Sequence, residues 1–233
     1  MVSVWRVVPV MNLLVLTLLA ALPAGEDQPV TTPLTGPAST RFAMPVSISF
    51  DAALAAETPL VKDDGSTRAG TTPDAVGAIA RSAPAVARRH FEDAKWNDAA
   101  NPRTVVVKNV TVSWRQGPSY EVRVEVERRD GDKRLGVAQG MGFGMAQRSN
   151  AQRTGAAYAN MFGAKPKNGL TEANPATDAD VIRTAALQAL DSALYQLSAV
   201  WAGEQMMQKA REDADAAMKR AQEAQKKPAA KKK

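Results

Sequence analysis

Tyr120-Glu121-Val122-Arg123-Val124-Glu125-Val126-Glu127, followed by the reversal Asp130-Gly131, is the stretch that decides the fold. Tyr120, Val122, Val124 and Val126 alternate with charged residues at a period of two, which predicts a strand with one buried and one charged, solvated face. Asp-Gly between apolar runs is a strong hairpin signal. The next strand then carries Leu135, Val137, Met141, Phe143 and Met145 on its apolar side, opposite Gly136, Ala138, Gly140, Gly142 and Gly144. Upstream, Thr104 to Trp114 forms the first strand of a meander. It places Val105 and Val107 on one face and Val110, Val112 and Trp114 on the other, and the change of phase predicts a bulge near Lys108-Asn109. Gln116-Gly117-Pro118-Ser119 is the turn between them.

Further upstream, Phe42, Met44, Val46, Ile48 and Phe50 recur at every second position and predict another strand. Pro45 has no N–H to donate, so this is an edge strand or its pairing begins after that residue. Asp51 to Thr71 reads as loop, with Asp63-Asp64-Gly65-Ser66 as a turn. Thr72-Pro73 is a good helix start, and Val76, Ile79, Ala83, Val86 and Phe91 carry helical spacing to about Lys95, with Pro84 kinking or dividing the segment.

Downstream, residues 146–176 are rich in Asn, Gly, Pro, Lys and Thr and contain Tyr158, Met161 and Phe162. Loops of this length are mobile or functional. Thr177 or Asp178 then caps a second helix, in which Ile182, Ala186, Leu190, Leu194, Leu197 and Trp201 form one stripe against the sheet. Its helix-forming composition continues to about Gln225, broken only by Gly203. Roughly 45 residues at 1.5 Å each span about 70 Å, more than a domain of this size, so the distal half must project. The expected fold is α+β: a four-stranded, mainly antiparallel sheet in the order β-α-β-β-β-α over residues 42–202, two helices on one face, and a helical extension over 203–225.

The ends have a different character. Leu13 to Leu22 reads LLVLTLLAAL, preceded by Arg6 and followed by Pro23-Ala24-Gly25. An apolar run of about ten residues is too short to span a bilayer and fits a secretory signal, residues 1–24, with cleavage near Ala24. Met11 is a second plausible start, although it would drop Arg6. Residues 25–41 have the Pro/Thr-rich composition of a linker. Residues 226–233 form a basic tail of disordered composition. The expected location is therefore outside the cytoplasm, in the periplasm or on the outer envelope.

The formal net charge is +6, but Arg6 and the tail lysines Lys226, Lys227, Lys231, Lys232 and Lys233 account for all of it. No basic recognition face is implied for the body, which makes nucleic acid an unlikely partner. The tail itself can touch anionic lipid or polysaccharide. The chain has no cysteine and one histidine, His90, so thiolate nucleophiles, thiol metal cages and Ser-His-Asp relays lack their residues or have them once. His90, beside Arg88, Arg89, Glu92 and Asp93, reads as a half-exposed helix residue. Asn109-Val110-Thr111 matches a glycosylation acceptor but falls inside a strand. Gly140-Met141-Gly142-Phe143-Gly144 alternates within a strand instead of opening a helix, so it reads as close packing and not as a phosphate cradle. The interleaved Glu and Arg residues of 121–129 read as cross-strand ion pairs.

No catalytic, cofactor or metal residues are assigned. Met206, Met207 and Met218 on the extension are candidate contacts, because methionine adapts to binding surfaces; the same spacing also suits an ordinary helical continuation. Alanine at most seam positions argues against a sustained coiled coil. Tyr158 and Phe162 in the loop and the five tail lysines complete the candidate partner-binding set.

The order strand, helix, three-stranded meander and long C-terminal helix, from Phe42 to Trp201, resembles small bacterial envelope accessory proteins. Examples are the lipopolysaccharide-assembly lipoprotein and the auxiliary lipoproteins of envelope transport systems. The resemblance implies an assembly role in the envelope. Those families carry a lipidated cysteine that this chain lacks, so their anchoring does not carry over. The expected function is a non-enzymatic exported binding or assembly module that contacts an envelope protein through its long helix and sheet face, with self-association through that helix as a further outcome. The alternatives are a carboxylate-dependent hydrolase and a basic-tail polyanion or nucleic-acid binder.

Overall fold

The computed structural model describes residues 34, 44–54, 60–62, 67–68, 74–114, 119–146, 161 and 178–226. Its elements run β1 (Val46–Phe50), β2 (Leu60–Lys62), β3 (Thr67–Arg68), α1 (Ala75–Ala87), β4 (Ala94–Trp96), β5 (Arg103–Trp114), β6 (Ser119–Asp130), β7 (Lys133–Met145) and α2 (Ala179–Lys226). The fold is α+β, with one mixed sheet and, among the described residues, two long helices, the second of 48 residues.

The meander forms as the alternation requires. β5, β6 and β7 pair antiparallel, and Asp130-Gly131 makes the reversal, with Gly131 at φ 54°, a left-handed conformation that glycine adopts without strain. The register of β5 on β6 shifts between Val107 and Asn109. This bulge repairs the phase: Val107 lies opposite Val126, Val110 opposite Val124 and Val112 opposite Val122, so both valine sets reach the same buried face.

The rest of the sheet departs from the four-stranded antiparallel expectation. The described residues form seven strands, and β1 is interior, paired parallel with β5 on one side and with β4 on the other. It starts at Val46, directly after Pro45, so the missing N–H never falls within the ladder. The stretch expected as loop contains β2 and β3; β2 runs parallel to the distal half of β5. Parallel partners are joined by long crossovers, so no local turn signal marks them.

Helix α1 ends at Ala87, eight residues before the expected Lys95. Pro84 sits in its last turns without dividing it. The following residues are claimed by β1: the Val46 N–H donates to the Asp93 carbonyl at 3.0 Å, and Ala94 to Trp96 pair with Val46 to Ile48. Tertiary pairing overrides a helical pattern that runs on in the sequence.

Both helices belong to one buried cluster with the inner residues of β1, β5 and β6. α1 supplies Val76, Ile79 and Val86, and α2 supplies Ile182, Leu190, Leu194 and Trp201. The buried carboxylate of Asp178, just before α2, accepts the Tyr120 hydroxyl at 2.5 Å and ties the start of α2 to β6.

The two faces of β7 are the reverse of what hydrophobicity suggests. Gly140, Gly142 and Gly144 lie against α2, whereas Val137, Met141, Phe143 and Met145 point outward. A Cβ on Gly140 would fall 1.9 Å from the Ala189 carbonyl oxygen, and one on Gly142 1.9 Å from that of Ala185. The helix backbone rests on the strand with no room for side chains, and this close approach outweighs burying the larger residues.

Residues 1–24, the tail beyond Lys226, the linker apart from Leu34 and the 146–176 loop apart from Ala146 and Met161 lie outside the described residues. Among the described residues, no helix is long and apolar enough to cross a membrane.

Candidate interaction surface

The long helix leaves the body at Trp201, whose side chain is 5% exposed, while every residue from Glu204 to Glu223 is exposed. The exit is anchored at several points. Phe91 meets the Trp201 ring edge-on at 5.6 Å, and the Arg128 guanidinium lies 5.1 Å from the same ring. Arg128, on the inner face of β6, donates to both Glu204 carboxylate oxygens, at 2.8 and 2.6 Å. This planar two-bond pairing suits arginine and fixes the direction in which the helix departs. Gln205 adds a contact from its Nε2 to Met44 Sδ at 3.0 Å.

Between the departing helix and the β6–β7 hairpin tip lies an open cleft of about 650 Å³. Trp201, Leu135 and Met44 supply its apolar surface. Asp130, Glu204, Glu212 and Asp213 supply carboxylates, against the two cations Arg103 and Lys209. The cleft is thus apolar with an acidic rim, although Glu204 is committed to Arg128.

The outer face of the sheet is a second surface. Phe143 is 61% and Met145 71% exposed, and β7 pairs only with β6 among the described residues. The charged side of β6 expected to be solvated is partly buried. Glu121 takes the Arg123 Nε at 2.5 Å, and Glu127 takes Arg129 Nε at 2.5 Å and Arg134 Nε at 2.8 Å. The expected cross-strand pairing appears at Glu127 and Arg134, whereas the Glu121–Arg123 and Glu127–Arg129 pairs run along β6 itself.

His90 is not a half-exposed helix residue. It is fully buried in the turn after α1, and its Nε2–H donates to Asp191 Oδ1 of α2 at 2.8 Å. Arg89 Nη1 lies 2.7 Å from the other carboxylate oxygen, and the Tyr195 ring stands edge-on to the imidazole at 6.0 Å. The cluster joins the two helices. Asp191 was legible only as an acidic residue among the apolar positions of α2; its partners arrive from a hundred residues away.

Of the candidate contacts, Met206, Met207 and Met218 are on the exposed extension, at 70%, 59% and 57% exposure. Lys226 is the last helical residue. Tyr158, Phe162, Lys227, Lys231, Lys232 and Lys233 lie outside the described residues. The structure therefore unites the methionines with the acidic cleft on one helix and leaves the loop and tail candidates unplaced. Arg128, which anchors the exit, and the cleft residues Trp201 and Glu204 were not singled out by sequence as contacts.

Among the described residues, no group of three or more His, Cys, Asp and Glu side chains is placed to hold a metal ion. Comparison with known proteins finds no matching family model, no similar curated protein and no similar solved structure.

Proposed function

We propose that this chain is an exported, non-enzymatic binding or assembly module of a bacterial cell envelope, acting through the extension of α2 and the neighbouring outer surfaces. The observation that carries this reading is a helix that continues for more than twenty residues past its last buried side chain, Trp201, and keeps three large methionines in solvent. A helix without tertiary packing has little stability of its own, so an exposed one presenting apolar residues is best explained by contact with a partner. The rigid exit at Arg128, Trp201 and Glu204 supports the same reading, since it aims the helix. The signal-like segment Leu13 to Leu22 supports export, and the tail lysines offer a secondary contact for anionic lipid or polysaccharide.

The test is site-specific cross-linking from positions 206, 207 and 218 in cells, compared with a chain ended after Gln205, which keeps the Glu204 and Gln205 anchors. We expect cross-links to one envelope protein or to a second copy, lost on truncation while the remaining domain unfolds at nearly the same temperature. Catalytic turnover by the purified chain, or undiminished capture by the truncated one, would overturn the proposal. Deleting residues 227–233 separates a polyanion binder, whose affinity would collapse and depend steeply on salt.

A further inference from the structure

We propose that the extension of α2 pairs with the same segment of a second copy of this chain, antiparallel, about a two-fold axis between Asp215 and Ala216. This rests on the reading of the extension as the contact element and names its partner.

The argument begins with the helix faces. At 100° per residue, the seven apolar residues from Met206 to Ala221, apart from Ala216, fall on one arc of about 120°. All three exposed methionines lie on that arc. Gln208 and Glu212, which line the cleft against the body, lie roughly on the opposite side, so the apolar arc faces away from the domain. Along its middle, Met207, Ala210, Ala214, Ala217 and Ala221 are spaced alternately three and four apart, the spacing of a two-helix seam.

Charge selects the occupant and its direction. Glu212, Asp213 and Asp215 follow Lys209 and Arg211 in the first part of the extension, and Lys219 and Arg220 come one turn later. Parallel copies would leave Asp213 about 10 Å along the axis from Arg220 of the second copy. Antiparallel copies meet with Ala210 beside Ala221 of the second copy and Ala214 beside Ala217. In that register Asp213 of each copy flanks Arg220 of the other, giving two symmetric ion pairs at the edge of the seam. The symmetry is isologous, as a two-fold dimer requires.

Space permits it. The extension from Gly203 to Lys226 is about 36 Å long, and Trp201 of the second copy falls beyond Lys226 of the first, so the two globular parts stay at opposite ends. Alanine lets the helices approach closely, as α2 already approaches Gly140 and Gly142 within the domain. With a short seam and few large side chains the pairing is weak and concentration-dependent, not a sustained coiled coil.

The experiment is sedimentation velocity on the full chain over micromolar to millimolar concentrations. The wild type should shift from monomer to dimer. Asp213→Arg or Arg220→Asp should each weaken self-association roughly tenfold or more, while an equimolar mixture of the two forms the heterodimer and the double variant recovers the homodimer. Because the chain has no cysteine, Ala210→Cys and Ala221→Cys report direction. Each alone should resist disulfide formation, its two copies being about 16 Å apart along the axis, and the mixture should cross-link. A wild type monomeric throughout, a dimer indifferent to both charge changes, or cross-linking of Ala210→Cys alone overturns the proposal. A monomer that still captures an envelope protein through residues 206–226 sinks the self-pairing and leaves the proposed function standing; circular dichroism confirms that each variant keeps its helix.

Discussion

His90 and Asp191, one in the turn after α1 and the other mid-way along the packed half of α2, are joined by a buried hydrogen bond of 2.8 Å. With Arg89 on the second carboxylate oxygen, the pair fixes how the two helices meet. Removing Asp191 takes away the buried carboxylate that both His90 and Arg89 engage. Asp191→Ala should therefore cost about 3 kcal/mol of stability, and Asp191→Asn less, since the amide oxygen still accepts from His90. Chemical denaturation of the three proteins measures the difference; equal midpoints would show that the cluster does not hold the helices.

Gly142→Ala should destabilise by about 2 kcal/mol or more, because its methyl meets the Ala185 carbonyl of a packed helix. Gly136→Ala, on the same strand with nothing near its added carbon, should stay within about 0.5 kcal/mol of the parent. Phe143→Ser should also be nearly neutral, since most of that ring is in water. Thermal melts of the three variants test whether α2 sits on the glycine face of β7; if Phe143→Ser proved the most damaging, the faces would be assigned the wrong way round.

The Arg128 and Glu204 pair is asymmetric. The arginine side chain is 4% exposed and the glutamate 47%. Glu204→Ala strands a buried cation and should cost about 2–3 kcal/mol, whereas Arg128→Met leaves only a solvated carboxylate and should cost about 1 kcal/mol. Urea titration compares them; the reverse order would mean that arginine stacking on Trp201 outweighs the ion pair.

Asp51 makes a charge-assisted contact with Lys108 and accepts the Ala53 N–H at 2.8 Å; the lysine first and the amide second hold its carboxyl below the ordinary 3.8. Burial opposes the same direction at Asp93, where the Ala94 N–H, Lys95 and Arg88 prevail. For both, the folded value is the lower one, so their contribution is complete above the unfolded value near 4 and disappears as pH falls through the folded value. The stability these two groups contribute should be level above about pH 5 and decline below about pH 4. Asp51→Asn should flatten that decline, and a slope unchanged by the substitution would remove Asp51 from the cause.

Local pattern carried the meander far. The alternation of Tyr120 to Val126, the Asp130-Gly131 reversal and the valine phase change each act within a few residues, and strands, hairpin and bulge appeared where they indicated. The parallel placement of β1 between β5 and β4, and the strand of Ala94 to Trp96 inside an apparent helix, depend on partners distant in sequence. Of the candidate surface, the exposed methionines were legible from helical composition alone. The Arg128 anchor was not, because an arginine at the next position of the apolar register after Val126 does not reveal that it meets a tryptophan from α2 there.

By itself the sequence determined the α+β class, the hairpin, the overrunning helix and the absence of thiol chemistry, because periodicity, turn residues and composition are properties of neighbouring positions. Only the tertiary structure decided which face of β7 is buried, which strands lie parallel and that His90 sits in the core. Those outcomes turn on how closely a helix backbone can approach a strand and on which distant group reaches a buried charge, and such distances exist only once the chain has closed on itself.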